Sequence, residues 1–253
     1  MSKQCQDKVA LVTGGASGIG RASALALAHE GATVMVADRD HAGCEETVAL
    51  ITAAGGTAAT HAVDVASEEA VERLIADTVA TFGRLDLAFN NAGIGGEMGK
   101  TAAYPTDDWH RVLAVNLTGV WFCMKYEIRH MLAQGGGAIV NTASIAGLIG
   151  MAGAPAYVAA KHGVVGLTKN AALEYARNNI RVNAVCPGGV RTHMTEAADL
   201  ELPGFLAKLA KQEPMGRIAE PEEIASAVVW LLSDGASFMT GHALAVDGGY
   251  VAR

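Results

Sequence analysis

Hydrophobic positions fall into two alternating kinds of stretch along this chain. Short runs dominated by apolar residues occur at Val9-Ala10-Leu11-Val12, Thr33-Val34-Met35-Val36-Ala37, Thr57 to Val63, Leu85 to Phe89, Ala138 to Thr142, Ile180 to Val185 and Ala243 to Val246. Continuous apolar runs of this length fit strands buried on both faces better than strands with one wet face. Between them lie longer stretches of helical period. Ile19 to Glu30 follows the first run, and His41 to Ala54 ends at Gly55-Gly56, a C-cap signal. Ser67 is placed to cap a helix reaching Phe82, with Val71, Leu74, Ile75 and Val79 on one face. Thr106 to Leu132 and Ala154 to Asn178 read as long helices, the first broken by Gly135-Gly136-Gly137. Pro221 opens a further helix at its first turn, where Glu222 and Glu223 suit the dipole.

Strand and helix in strict alternation predict an α/β fold: a doubly wound, Rossmann-type parallel sheet of seven strands with helices on both faces. Right-handed crossovers then bring the carboxyl ends of all the strands to one edge. Residues 1–253 read as a single domain, without linker, repeat or low-complexity segment. The one weakly patterned region, Thr192 to Met215, is rich in Ala and Leu and long enough to form a substrate lid.

The first strand runs directly into Thr13-Gly14-Gly15-Ala16-Ser17-Gly18-Ile19-Gly20. Glycines at 14, 18 and 20 allow positive φ, close approach of a ligand and tight packing of the next helix on the strand. The unpaired N–H groups and the dipole at that helix start favour an anion, and a pyrophosphate fits. The second strand ends in Asp38, about 18 residues past Gly20, where a dinucleotide fold places an acid on the adenosine ribose hydroxyls. A carboxylate there accepts from two hydroxyls and repels a 2′-phosphate, which favours NAD over NADP. Arg39 beside it pulls the other way, because a guanidinium accepts a phosphate.

Composition narrows the partners. With a net charge of −7 over 253 residues and no basic block, neither nucleic acid nor an anionic membrane is an expected partner. Cys5, Cys44, Cys123 and Cys186 are widely spaced without a C-x-x-C pair, which suits buried thiols in a reducing cytoplasm. The polar start of the chain carries no signal-peptide pattern, and the longest apolar runs are far shorter than the ~18 residues of a membrane span. The histidines are scattered without ligand spacing, so no metal site is expected.

The chemistry concentrates late in the chain. Tyr157 and Lys161 stand at i and i+4 on a predicted helix, neighbours with Cβ atoms ~5–6 Å apart. A cation that close is expected to lower a phenol pKa that starts near ~10 and so to make a general base. Ser144 ends the fifth strand at the same sheet edge, where its hydroxyl can hold a substrate oxygen against Tyr157. It lacks the G-x-S-x-G elbow of a hydrolase.

Taken together, Thr13-Gly14-x-x-x-Gly18-x-Gly20, Asn90-Asn91-Ala92-Gly93, Asn116, Ser144, Tyr157-x-x-x-Lys161 and Pro187-Gly188 resemble the short-chain dehydrogenase/reductase family over nearly the whole chain. The resemblance implies that Tyr157 is the catalytic acid/base, that Lys161 activates it and binds the nicotinamide ribose, and that Ser144 orients the substrate oxygen. It implies that Asn116 holds a water in a proton relay from Lys161. By the same resemblance Asp64 and Val65 flank the adenine, Asn90 lies beside the adenosine ribose with Ala92 and Gly93 following, and Val190 and Thr192 contact the carboxamide. The implied activity is hydride transfer between NAD(H) and a secondary alcohol or ketone.

The substrate is less legible. Pocket candidates are Ile94, Gly95, Tyr104, Ile145, Ala146, Gly188, Gly189 and, from the lid, Met194, Leu200, Leu202, Phe205 and Leu206. Small and apolar, they favour an uncharged and in some cases cyclic alcohol or ketone. Two alternatives stay open: a 3-oxoacyl thioester reductase, which wants a basic docking patch such as Lys125, Arg129 and His130, and a catalytically silent NAD sensor. Apolar residues on several faces of the 154–178 helix predict an oligomer; the resemblance implies a homotetramer with Val246 to Arg253 at a second interface.

Overall fold

The computed structural model describes residues 3–252. In chain order the elements are β1 (Val9–Thr13), α1 (Gly18–His29), β2 (Thr33–Asp38), α2 (His41–Ala53), β3 (Thr57–Ala62), α3 (Glu68–Phe82), β4 (Leu87–Asn90), α4 (Thr106–Leu113), α5 (Gly119–Gln134), β5 (Gly137–Thr142), α6 (Pro155–Tyr175), β6 (Ile180–Pro187), α7 (His193–Glu201), α8 (Phe205–Gln212), α9 (Pro221–Leu232) and β7 (Ala243–Val246). All pairings are parallel, in the order β3-β2-β1-β4-β5-β6-β7. The order reverses between β1 and β4, and a crevice opens at such a point beyond the carboxyl ends of the strands.

Alternate residues of each strand feed two cores. Leu11 and Ala88 face one, where Leu74, Val120, Ile128 and Val164 arrive from α3, α5 and α6. Ala10, Val12 and Phe89 face the other, against Leu27, Ile51, Ile224 and Val228 from α1, α2 and α9. Each fully buried Leu or Ile contributes about 1.5–3 kcal/mol, so the apolar runs anchor the sheet against both helical layers.

Several helix ends form as local chemistry dictates. The Ser67 side chain accepts from Ala70 N–H at the start of α3, and Gly83 ends that helix in the left-handed region at φ 82°. Glu220 and Glu223 make a reciprocal capping box ahead of Pro221. Gly20 shows why no side chain is tolerated between α1 and β1: an added Cβ would stand 1.9 Å from the Gly14 carbonyl oxygen. Gly20→Ala is expected to cost roughly 2–3 kcal/mol, read as a lowered midpoint in urea unfolding.

Four expectations shift. The fourth strand starts at Leu87 rather than Leu85, because Asp86 turns its carboxylate to Val9 N–H and Arg84. The long 106–132 helix is interrupted by a π-helical stretch, Ala114–Thr118, which carries Asn116. The 154–178 helix stops at Tyr175 and passes through a 3-10 turn to Asn179 at φ 57°. Thr192 to Met215 is not irregular: a capping box between Thr192 and Thr195 starts α7, and the Leu- and Ala-rich sequence forms α8. All four cysteines are buried and free. No helix among the described residues is long and apolar enough to cross a membrane, and Arg253 of the expected C-terminal interface lies outside them.

Candidate active site

A cleft of about 520 Å³ opens at the carboxyl edge over the β1–β4 switch point. Gly14 and Gly18 form its floor with φ of 67° and 52°, values that an L side chain rarely adopts. Ser17 precedes α1 in extended backbone without a side-chain cap, so the first-turn N–H groups of Gly18 and Ile19 point at the cleft. Across from them an added Cβ on Gly18 would touch Thr192 at 3.3 Å, which makes the channel there glycine-narrow. At the end of β2 the two Asp38 oxygens accept separate backbone N–H groups, from Ala16 at 3.3 Å and Asp40 at 3.1 Å. The carboxylate is thereby fixed in the cleft wall beside Arg39, with Asp64 and Val65 following on from the paired end of β3. A floor of positive-φ glycines, an uncapped helix start and an oriented carboxylate in one cleft fit a dinucleotide.

Ala92, Gly93, Pro187, Gly188 and Val190 line the cleft as the resemblance implies. Asn90 does not. It is 2% exposed, and its amide donates to Glu127 Oε2 and Asn141 Oδ1, both at 3.0 Å. Side chains alternate along a strand, so the next residue, Asn91, takes the wall position. Asn91 N–H donates to Thr13 Oγ1 at 3.0 Å and its side chain to the carbonyls of Thr13 and Gly14, tying the β1 and β4 loops together. The doubled asparagine was visible in the sequence; which of the two faces the cleft was not. Gly20 also stays out of the cleft, since its place is the contact with Gly14.

Toward the other end of the cleft, α6 presents Tyr157 and Lys161, and the end of β5 presents Ser144. Lys161 Nζ donates to the Thr142 carbonyl at 2.7 Å and lies 5.5 Å from the Tyr157 ring centre. Ser144 Oγ accepts from Ala146 N–H at 3.1 Å, and the same side chain lies near enough to the Tyr157 phenol to favour its ionised form. The expected lowering of the Tyr157 pKa by Lys161 is not what this geometry produces. Burial pushes the phenol up, with Ser144 opposing it, and the same burial pushes Lys161 down to about 8. Loss of hydration is the largest effect on each group, so Tyr157 stands in its neutral, proton-donating form.

Asn116 is fully buried and brackets one residue: Oδ1 accepts from Ile94 N–H at 2.8 Å and Nδ2 donates to Ile94 O at 2.7 Å. A Cβ on Gly93 would lie 3.2 Å from Asn116 Oδ1 and 3.7 Å from Lys161 Nζ, so Asn116 and Lys161 meet across that glycine. The amide thus holds the loop after β4 over the site.

Of the pocket candidates, Ile94, Gly95, Gly188 and Met194 line the cleft. Ile145 and Ala146 are buried behind Ser144, Leu200 and Leu202 are exposed, and Tyr104 donates to Asp108. His193, beside Met194, is a wall residue that the sequence reading missed. The suggested docking patch is engaged within the chain: Lys125 pairs with Glu68, and Arg129 sits 5.2 Å over the Tyr126 ring.

A family model described as Enoyl-(Acyl carrier protein) reductase matches residues 14–251. Cyclohexanol dehydrogenase of Acinetobacter sp. (strain SE19) is 49% identical over 253 residues, covering 100% of this chain and 98% of the relative. A short chain dehydrogenase/reductase of Aspergillus oryzae (strain ATCC 42149 / RIB 40) is 44% identical, covering 96% and 95%. The crystal structure of levodione reductase superimposes with a TM-score of 0.94 at 40% identity, covering 98% of each chain. The chain belongs to the short-chain dehydrogenase/reductase family and is an oxidoreductase of the secondary alcohol and ketone couple. Solved chains of this fold hold NAD in two cases and NADP in another, so the cofactor is a nicotinamide dinucleotide.

Proposed function

We propose that this chain oxidises uncharged cyclic secondary alcohols, and reduces the matching ketones, with NAD(H) in preference to NADP(H). The observation that carries the cofactor choice is Asp38, whose carboxylate is held toward the cleft by Ala16 and Asp40 N–H groups. It accepts from a ribose diol and repels a phosphate in the same place. The ring preference is supported by the wall of Ile94, Gly95 and Met194, which offers no charge to a substrate, and by the cyclohexanol dehydrogenase at 49% identity.

The bound dinucleotide supplies the hydride acceptor or donor. Ser144 Oγ holds the substrate oxygen, and Tyr157 Oη gives that oxygen its proton in reduction or takes it in oxidation. Lys161, held by the Thr142 carbonyl, favours the phenolate whenever the phenol gives up its proton. Asn116 keeps Ile94 and its loop in place above these groups.

Asp38→Ala combined with Ser17→Arg is expected to move the NAD:NADP ratio of kcat/KM toward NADP by roughly 100-fold, a charge-assisted contact exchanged for a repulsion. Initial rates with cyclohexanol and each dinucleotide measure it, and an unchanged ratio refutes the ribose assignment. We also infer a homotetramer, supported by exposed apolar residues such as Leu173 on α6 and Phe238; a stable monomer by light scattering at micromolar concentration counts against it.

A further inference from the structure

Glu213 sits at the end of α8, yet its side chain turns inward and is 5% exposed. Its Oε1 accepts the Gly189 N–H at 2.7 Å. The room for it is made by glycines: an added Cβ would lie 2.7 Å from Oε1 at Gly188 and 3.3 Å at Gly189, while one on Gly248 would lie 3.6 Å from Oε2. The surrounding backbone closes the same junction, since Met215 N–H donates to Gly248 O at 3.2 Å and Gly188 N–H to Val246 O at 3.1 Å. Three segments distant in sequence therefore meet at one carboxylate: the turn after β6, the end of the second lid helix and the turn after β7. Of these, the β6 turn reaches the cleft through Pro187 and Gly188, whereas Glu213 does not line it.

We propose that Glu213 is a positioning residue that locks the Pro187-Gly188-Gly189 turn to the α7–α8 lid, so that the nicotinamide end of the cleft and the lid take up their arrangement together. A backbone N–H hydrogen-bonded to a buried carboxylate is a strong anchor, because losing the acceptor leaves the donor unsatisfied in a dry place. Glycine at both 188 and 189 permits the close approach. This assignment rests on the dinucleotide and lid readings above.

The test compares Glu213→Gln, which keeps an acceptor of the same shape, with Glu213→Leu, which keeps the volume and removes the acceptor. Dinucleotide Kd is read from reduced-nicotinamide fluorescence, and kcat and KM from cyclohexanol oxidation. The expected result for E213L is an increase of about 10-fold in Kd and in KM for the dinucleotide with kcat changed by less than about 3-fold, while E213Q stays within about 3-fold of wild type throughout. Wild-type binding by E213L, a fall in kcat with Kd unchanged, or an E213Q variant as impaired as E213L overturns the assignment. Because E213L risks misfolding, amide hydrogen exchange on the wild-type chain provides a second measurement. Dinucleotide is expected to raise protection in 187–190 and in 205–213 together, and protection of one segment without the other overturns the coupling. A wild-type chain that binds no dinucleotide removes the underlying functional reading as well, which separates that failure from loss of the Glu213 role alone.

Discussion

Tyr157→Phe is expected to lower kcat for alcohol oxidation by roughly 10²–10⁴-fold, the usual worth of a positioned acid/base, while dinucleotide Kd stays within about 3-fold of wild type. The substitution removes one oxygen and leaves the ring in place. Among the described residues that oxygen belongs to the only tyrosine that lines the cleft, and the ammonium 5.5 Å from that ring is already committed to the Thr142 carbonyl. Lys161 is therefore not free to swing in as a substitute proton carrier without giving up a 2.7 Å hydrogen bond. Stopped-flow turnover alongside a fluorescence titration separates the two quantities. Retention of more than about a tenth of wild-type kcat would remove Tyr157 from the acid/base role.

Above neutral pH, Glu127→Gln is expected to stabilise the fold. Glu127 is fully buried in α5, with one oxygen on Asn90 and the other without a hydrogen-bond partner among the described residues, in a network that continues through Asn141 to Thr168. Burial raises its pKa from 4.5 to about 8, opposed by the Asn90 hydrogen bond. Between those values the folded chain holds a proton that the unfolded chain has released. Stability therefore falls as pH rises from about 4.5 to about 8 and levels off beyond, a total on the order of 4–5 kcal/mol. Glutamine is neutral at every pH and removes the slope. The two proteins should unfold alike near pH 4.5 and diverge steadily to pH 8.5, with E127Q the more stable. Lys161 acts in the opposite sense at higher pH: its pKa is lowered from 10.5 to about 8, so its contribution to stability grows as pH climbs between those values. The difference between wild type and E127Q, measured by urea unfolding at each pH, isolates Glu127 from it. Parallel stability curves would mean that Glu127 is ionised in the folded chain.

Much of this site is local in sequence, and that part was legible. The turn from Gly14 to Gly20, Asp38 at the end of β2, and Tyr157 with Lys161 one helical turn apart depend on φ freedom, strand termination and helical spacing, all properties of short segments. The cleft gathers them because the parallel alternation of strands and helices leaves one edge where every strand ends. What was not legible depends on partners from elsewhere in the chain. Asn90 and Asn91 look equivalent until β4 pairs with β1 and β5, which sends the first to Glu127 and Asn141 and the second to Thr13. The resemblance gave Asn116 a relay water as its partner, and only the π-helical stretch shows that its amide meets both polar groups of Ile94.

The amino-acid sequence by itself determined the layer architecture, the glycine turn after β1, an acid at the end of β2 and the placing of Tyr157 and Lys161 one helical turn apart, because each follows from periodicity, backbone freedom or spacing within a few residues. Tertiary structure alone decided the burial of Tyr157, Lys161, Glu127 and Glu213 and the folding of residues 192–215 into two helices. Those properties depend on how much water surrounds a group and which distant backbone amides reach it, and both are set only when the segments pack.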